Sequence, residues 1–305
     1  MPNNRPFNEI RANLNIADWT KPDFDLRKAY VCALFSELTY QRIADFELTG
    51  ADRVNVIPCF AYQSAVTTGH ITDFDTLMRS LELGEHFVVI RRYAIVVGIR
   101  TPNVIVIAIR GTKYLYDWLV NLRASRVRLG DGTPHFHKGF IRAIWPCFEP
   151  VGIHMRKFLQ ETEDSIPVVV TGHSLGGALA GIMHALWRIP TIGEFTQGRR
   201  VMMNYQSTSD SYTFGMPRYC DFDAMVTFKH PHHLYNDRDI VPSVPPTWLG
   251  FENCFDEYRL DGFSIEKMRN RETINFGSWL WRLGNGSGIA DHAIEVYRER
   301  IGQNI

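Results

Sequence analysis

Apolar residues in this chain recur with two different periods, and the change from one to the other divides the sequence into elements. Phe87 to Arg92, Ala94 to Ile99 and Val104 to Ile109 are β-branched runs that predict three strands. The turn residues Thr101-Pro102-Asn103 join the last two, so a hairpin is expected to enter the sheet. Val168 to Thr171 is a short β-branched run of the kind buried on both faces of a parallel sheet. Ser211 to Gly215 and His232 to Asn236 predict further strands, and Glu257 to Leu260 an edge strand. Helical spacing appears from Leu26 to about Ile43, where Ala29, Val31, Cys32, Leu34, Phe35 and Leu38 form a stripe. It returns from a Thr72 or Asp73 cap to Gly84, from Lys113 to Leu122, from Phe140 to Thr162 and from Leu175 to Trp187. A last helix opens at Asp291. Pro146 and Pro150 are expected to interrupt the Phe140 helix early. Residues 1–24 are polar and proline-bearing and read as an irregular arm, and 193–210 as a loop. Strands separated by helices predict an α/β layer structure, a mostly parallel central sheet with helices on both faces. With no repeat and no linker, residues 1–305 are expected to form a single domain.

Composition narrows the class. The 305 residues are 45% hydrophobic and 22% charged, with 33 basic against 33 acidic side chains. A balanced charge gives no footprint for nucleic acid, and the apolar share is enough for a full core. The longest apolar stretch, around Val168 to Trp187, is broken by His173, Ser174 and His184 and is too polar to span a bilayer, so a soluble chain is expected, cytoplasmic or exported without a visible signal peptide. Five scattered cysteines without C-x-x-C spacing predict reduced thiols and no zinc site.

Between the Val168 strand and the Leu175 helix stands Gly172-His173-Ser174-Leu175-Gly176. Three fixed positions recur by chance in roughly one chain in ten of this length; the strand before and helix after give the pattern its meaning as a nucleophile elbow. Such a turn forces the serine into a strained conformation, and a side chain at either glycine would collide with the neighbouring strand or helix. It lifts the Ser174 hydroxyl above the sheet and leaves the Leu175 N–H at a helix N-terminus, where an oxyanion could be stabilised.

A serine hydroxyl needs a base, and the base needs an acid to fix its tautomer. The elbow therefore predicts a downstream acid and then a histidine. Asp239 follows a predicted strand and His292 stands at a loop–helix junction, with Asp237 a rival acid two residues away. His173 is expected to pack and hydrogen-bond rather than act as a second base. His230, His232 and His233 lack a helix to put two of them on one face, which argues against a metal role.

Six segments give the chain a family resemblance: Ala108 to Thr112, His137 to Phe140, Thr171 to Ala178, Tyr212 to Pro217, Asp239 to Pro242, and Asp291-His292. Their order from about Phe87 to Tyr297 resembles the class 3 lipases, fungal-type triacylglycerol lipases of α/β-hydrolase fold. The resemblance implies Ser174 as nucleophile, Asp239 as acid and His292 as base, with Thr112 and Leu175 donating to the oxyanion. It also makes the helix of 113–122 a lid. The apolar face of that helix (Leu115, Trp118, Leu119, Leu122) would cover the acyl site, and the partners implied are an ester or lipid substrate and a transient lipid–water interface, with no cofactor. Disulfides and a signal sequence, which secreted fungal members carry, are not matched, and 206–210 and 270–288 match no family motif. The expected activity is lipid ester hydrolysis. The alternatives are short or aryl esters, a phospholipid acyl bond, or a non-catalytic lipid-binding protein.

Overall fold

The computed structural model describes residues 6–41, 73–111, 124–130, 133–160, 166–187, 209–262, 264–269 and 290–305. The first helix, α1 (Glu9–Ile16), lies inside the stretch 1–24 that the sequence pattern reads as an irregular arm. Only two of its residues, Ile10 and Leu14, are buried, and one apolar residue per turn among asparagines leaves too faint a stripe to stand out. Helix α2 (Leu26–Leu38) starts at the Asp25 side chain, which accepts from the Lys28 N–H at 2.9 Å. It ends at Leu38 rather than near Ile43, and every residue from Lys28 to Leu38 is buried. Helix α3 (Asp73–Leu81) follows.

Three strands, β1 (Glu85–Arg91), β2 (Ala94–Arg100) and β3 (Ile105–Ile109), pair antiparallel in sequence order. The small ribbon of β4 (Arg126–Arg128) and β5 (His135–His137) leads to α4 (Lys138–Ile144) and α5 (Phe148–Gln160). The expected break falls at Pro146, in a 3₁₀ turn between these helices, whereas Pro150 is accommodated in the first turn of α5, where its missing N–H costs nothing. Then come β6 (Val168–His173), α6 (Leu175–Leu186), β7 (Ser209–Phe214), α7 (Phe222–Thr227), β8 (His232–Asn236), β9 (Glu257–Leu260), β10 (Ile265–Met268) and α8 (Ile294–Gly302). The sheet runs β1-β2-β3-β6-β7-β8-β9-β10, with β3 through β9 parallel and both margins antiparallel. The strand of Glu257–Leu260 is therefore internal, and β10, whose ends alone are half-buried, takes the edge. The terminal helix begins at Ile294, so Asp291 and His292 sit in the turn ahead of it.

Alternation within the strands explains the layering. Ile105, Ile107, Ile109, Val168 and Val170 enter one core with α4, α5 and α6, while Val106, Ala108 and Val169 enter the other with α1, α2, α3 and α8. Both faces of the central strands are thus covered, which is why they read as continuous apolar runs rather than alternating ones. Each such buried valine or isoleucine contributes roughly 1.5–3 kcal/mol. The fold class is α/β, with the parallel strands at the centre and helices on both faces. Among the described residues no helix is long and apolar enough to cross a membrane, and Cys32, Cys147, Cys220 and Cys254 are buried free thiols.

Candidate active site

The C-terminal ends of the parallel strands gather the candidate residues. Ser174 follows β6 with φ 59° and ψ −133°, one of two non-glycine residues at positive φ among those described. That conformation costs about 1–3 kcal/mol and persists because its surroundings impose it. The Ser174 N–H donates to Phe214 O at 2.9 Å, and Gly177 N–H donates to Ser174 O at 2.9 Å. A Cβ on Gly172 would stand 2.3 Å from Gly176 O, and one on Gly176 2.1 Å from Ile109 O. The two glycines are therefore what allows helix α6 to start against β3 and β6. Leu175 opens that helix, so its N–H has no partner within the helix and points where the dipole is positive.

Asp239, in the loop after β8, is 3% exposed and accepts three hydrogen bonds. Its Oδ2 takes His292 Nδ1–H at 2.6 Å and the Tyr297 hydroxyl at 2.7 Å, and its Oδ1 takes the Val241 N–H at 2.9 Å. Tyr297 is held as a donor, because burial and the Asp239 carboxylate raise its phenol well above the usual range. With Nδ1–H committed to the carboxylate, His292 presents Nε2 as a bare acceptor. Among the described residues neither that atom nor Ser174 Oγ, both buried, has a hydrogen-bond partner. Asp237, the rival acid, has a side chain 57% exposed and lies 3.9 Å from Arg259 Nη1.

The Arg110-Gly111 turn lies against the elbow: a Cβ on Gly111 would be 3.2 Å from Ser174 Cβ and 2.6 Å from His173 O. Thr112 and the helix expected over 113–122, with Leu115, Trp118, Leu119 and Leu122, lie outside the described residues. The three clustered histidines face carboxylates, His230 towards Asp256 (3.3 Å), His232 between Asp210 (3.4 Å) and the same Asp256 (3.9 Å), and His233 towards Glu257 (3.2 Å).

Several residues around the site were not legible as functional. Tyr297 lies five residues past His292, a spacing that carries no motif. Gly215, at φ +54°, would put a Cβ 2.7 Å from Asp239 Oδ2; its place in the Tyr212 to Pro217 segment was the available signal. Asn236 donates to Asp291 O at 2.6 Å while Arg300 grips both Asn236 Oδ1 and Asp291 Oδ1, so the turn carrying His292 is fastened from outside.

Sheet order, strained serine and covered strands define the class as an α/β-hydrolase fold, and solved structures agree. The chain aligns with a mutant form of MDLA from Penicillium cyclopium with a TM-score of 0.58 at 15% identity, over 88% of this chain and 96% of that one. It aligns with Rhizomucor miehei lipase in its propeptide complex with a TM-score of 0.53 at 19% identity, over 87% of this chain and 77% of that one. Residues 106–248 match the family described as Lipase (class 3). Over 175 residues it is 28% identical to "Secreted mono- and diacylglycerol lipase 1" of Fusarium solani, covering 53% of this chain and 46% of that protein. Over 176 residues it is 31% identical to "Lipase" of Rhizomucor miehei, covering 55% of this chain and 45% of that protein. The matches thus span less than half the length of these curated relatives.

Proposed function

We propose that the chain is a serine carboxylic ester hydrolase acting on lipid esters through an acyl-enzyme on Ser174. His292 Nε2 takes the Ser174 proton as Oγ attacks the ester carbonyl. Asp239 keeps the imidazole in its Nδ1–H tautomer and stabilises the imidazolium. The Leu175 N–H, and in this reading the Thr112 segment, donate to the oxyanion. Collapse breaks the carbonyl–alkoxy bond and the leaving alcohol takes the proton from His292; water then repeats the cycle to free Ser174 and the acid. No cofactor is needed. The reading treats residues 1–305 as one α/β-hydrolase unit and 113–122 as a lid over the acyl site.

The observation that carries it is the buried Asp239–His292 pair at 2.6 Å together with a strained Ser174 whose buried Oγ, like His292 Nε2, has no hydrogen-bond partner among the described residues. The name of one matched relative, a mono- and diacylglycerol lipase, favours glycerides as the esters to test first. The experiment is hydrolysis of nitrophenyl esters of rising chain length beside emulsified mono-, di- and triglycerides, with Ser174→Ala as control. Long-chain and emulsified esters are expected to be turned over, and Ser174→Ala is expected to lose at least roughly 10³-fold in kcat. Turnover retained in purified Ser174→Ala protein rejects the nucleophile.

A further inference from the structure

The residue beside Ser174 takes no part in the proposed reaction, yet its side chain is held at both ends. His173 is buried; its Nε2 lies 2.6 Å from the main-chain oxygen of His292 and its Nδ1 2.9 Å from the Tyr40 hydroxyl. A carbonyl oxygen can only accept, so Nε2 carries the hydrogen. Burial and the neighbouring His292 hold the His173 imidazole well below the usual range, which keeps it neutral and leaves Nδ1 bare. Tyr40 must then donate to Nδ1, and burial keeps its phenol protonated. Both directions are fixed: Tyr40 O–H to His173 Nδ1, and His173 Nε2–H to His292 O.

The chain has a consequence for the base. His173 and His292, with ring centroids 4.5 Å apart, take opposite tautomers, Nε2–H and Nδ1–H. His292 sits in a turn ahead of α8, outside any regular element that would hold its backbone. Two consecutive carbonyls of that turn are gripped by side chains from two strands, Asp291 O by Asn236 of β8 and His292 O by His173 of β6. Aiming an imidazole requires its Cα as well as its ring to be fixed; the Asp239 bond orients the ring, and His173 anchors the peptide from which it hangs.

Resting on the hydrolase reading, we propose that His173, its Nδ1 held by the Tyr40 hydroxyl, is a positioning residue that anchors the His292 main chain so that Nε2 faces Ser174 Oγ. The test compares wild type with Tyr40→Phe, His173→Leu and His173→Gln. Imidazole ¹H–¹⁵N spectra read the tautomers, a fluorophosphonate reads the nucleophilicity of Ser174, nitrophenyl butyrate gives kcat and KM, and melting reads the fold. Wild type is expected to show an Nε2–H His173 beside an Nδ1–H His292. His173→Leu is expected to lower kcat and the phosphonylation rate together by roughly 10- to 100-fold, the effect of a misplacement of about 1 Å, with KM nearly unchanged. His173→Gln, whose amide N–H can reach the same carbonyl, is expected to recover most of that loss at an equal melting temperature. Tyr40→Phe is expected to fall between wild type and His173→Leu, and it serves alone should the leucine variant not fold.

An Nδ1–H His173, a glutamine variant no better than the leucine one at equal stability, or a Tyr40→Phe with wild-type kcat overturns the inference. A wild type inert to fluorophosphonate and to every ester removes the hydrolase reading and this inference with it. An active wild type with unaffected variants removes the inference alone.

Discussion

Gly215 brings no chemical group to the site, so substituting it tests the geometry separately from the chemistry. Its backbone sits at φ +54°, and an added Cβ would stand 2.7 Å from Asp239 Oδ2, 2.9 Å from the Tyr297 hydroxyl and 3.1 Å from His292 Cε1. Alanine in the left-handed region costs about 1–2 kcal/mol. In a chain of this size each kcal/mol lowers Tm by roughly 2–4 °C, so the backbone alone predicts a loss of a few degrees. Crowding adds the functional effect. Restoring ordinary contact needs a displacement of roughly half an ångström or more between the new methyl and the Asp239 carboxylate. That carboxylate holds His292, and a misplacement of about 1 Å at a reacting group can cost 10²-fold, so kcat for Gly215→Ala is expected to fall roughly 10- to 100-fold. Gly262 supplies the control, because it sits at φ +101° in the β9–β10 turn with nothing within 4 Å of the added methyl. Gly262→Ala is expected to lose stability by a comparable amount and to keep its kcat. Rates on nitrophenyl butyrate and melting curves for both variants decide the matter, and a Gly215→Ala enzyme within about twofold of the Gly262→Ala rate refutes the reasoning.

The two acids separate in the same assay: Asp239→Asn, which leaves His292 free to take the wrong tautomer, is expected to lose roughly 10⁴-fold in kcat, and the exposed Asp237→Asn less than about twofold; the reverse order shifts the acid by two residues. His137 predicts a pH dependence of stability. It is 2% exposed, its Nδ1 accepts the Phe140 N–H at 3.3 Å, and burial lowers its pKa to about 4 from an ordinary 6.5. Unfolding therefore takes up a proton between those values, so this contribution, roughly 3 kcal/mol, is complete above about pH 6.5 and is lost as pH falls towards 4. His137→Asn, which can still cap α4, is expected to flatten the urea-midpoint profile over that window, and an equally steep profile rejects the assignment. Opening a lid over 113–122 would expose Leu115, Trp118, Leu119 and Leu122 at about 25 cal/mol per Å² unless a lipid surface receives them. Rate against tributyrin is then expected to jump at the solubility limit in wild type and not in Trp118→Ser, and a smooth wild-type curve retires the lid.

What could be read from the chain follows the range of the forces involved. The strands of the hydrophobic centre were legible because each is buried on both faces, and a run such as Val168-Val169-Val170 records that burial residue by residue. The elbow was legible because its rule is steric and local: Gly172 and Gly176 are four residues apart and each excludes a Cβ from its neighbour. Helix α1 and strand β10 were missed because each buries too little to impose a period, α1 only Ile10 and Leu14 and β10 no residue fully. Their positions come from the surface already built, α1 against α2 and β10 against β9.

The supports of the candidate site lie at the far end of this scale. Tyr40 meets His173 across 133 residues of sequence, His173 meets His292 across 119, and Tyr297 meets Asp239 across 58. No periodicity or spacing encodes such pairs, because the same tyrosine or histidine would look identical packed in an ordinary core. The fold chooses them: parallel strands bring β6, β7 and β8 to one edge, and whatever side chains the loops and helices deliver there must satisfy each other's polar atoms in a place water does not reach. The elbow fixes where Ser174 stands. Its neighbour His173 takes its place only when Tyr40 and His292, far apart in the chain, close on the two nitrogens of the imidazole.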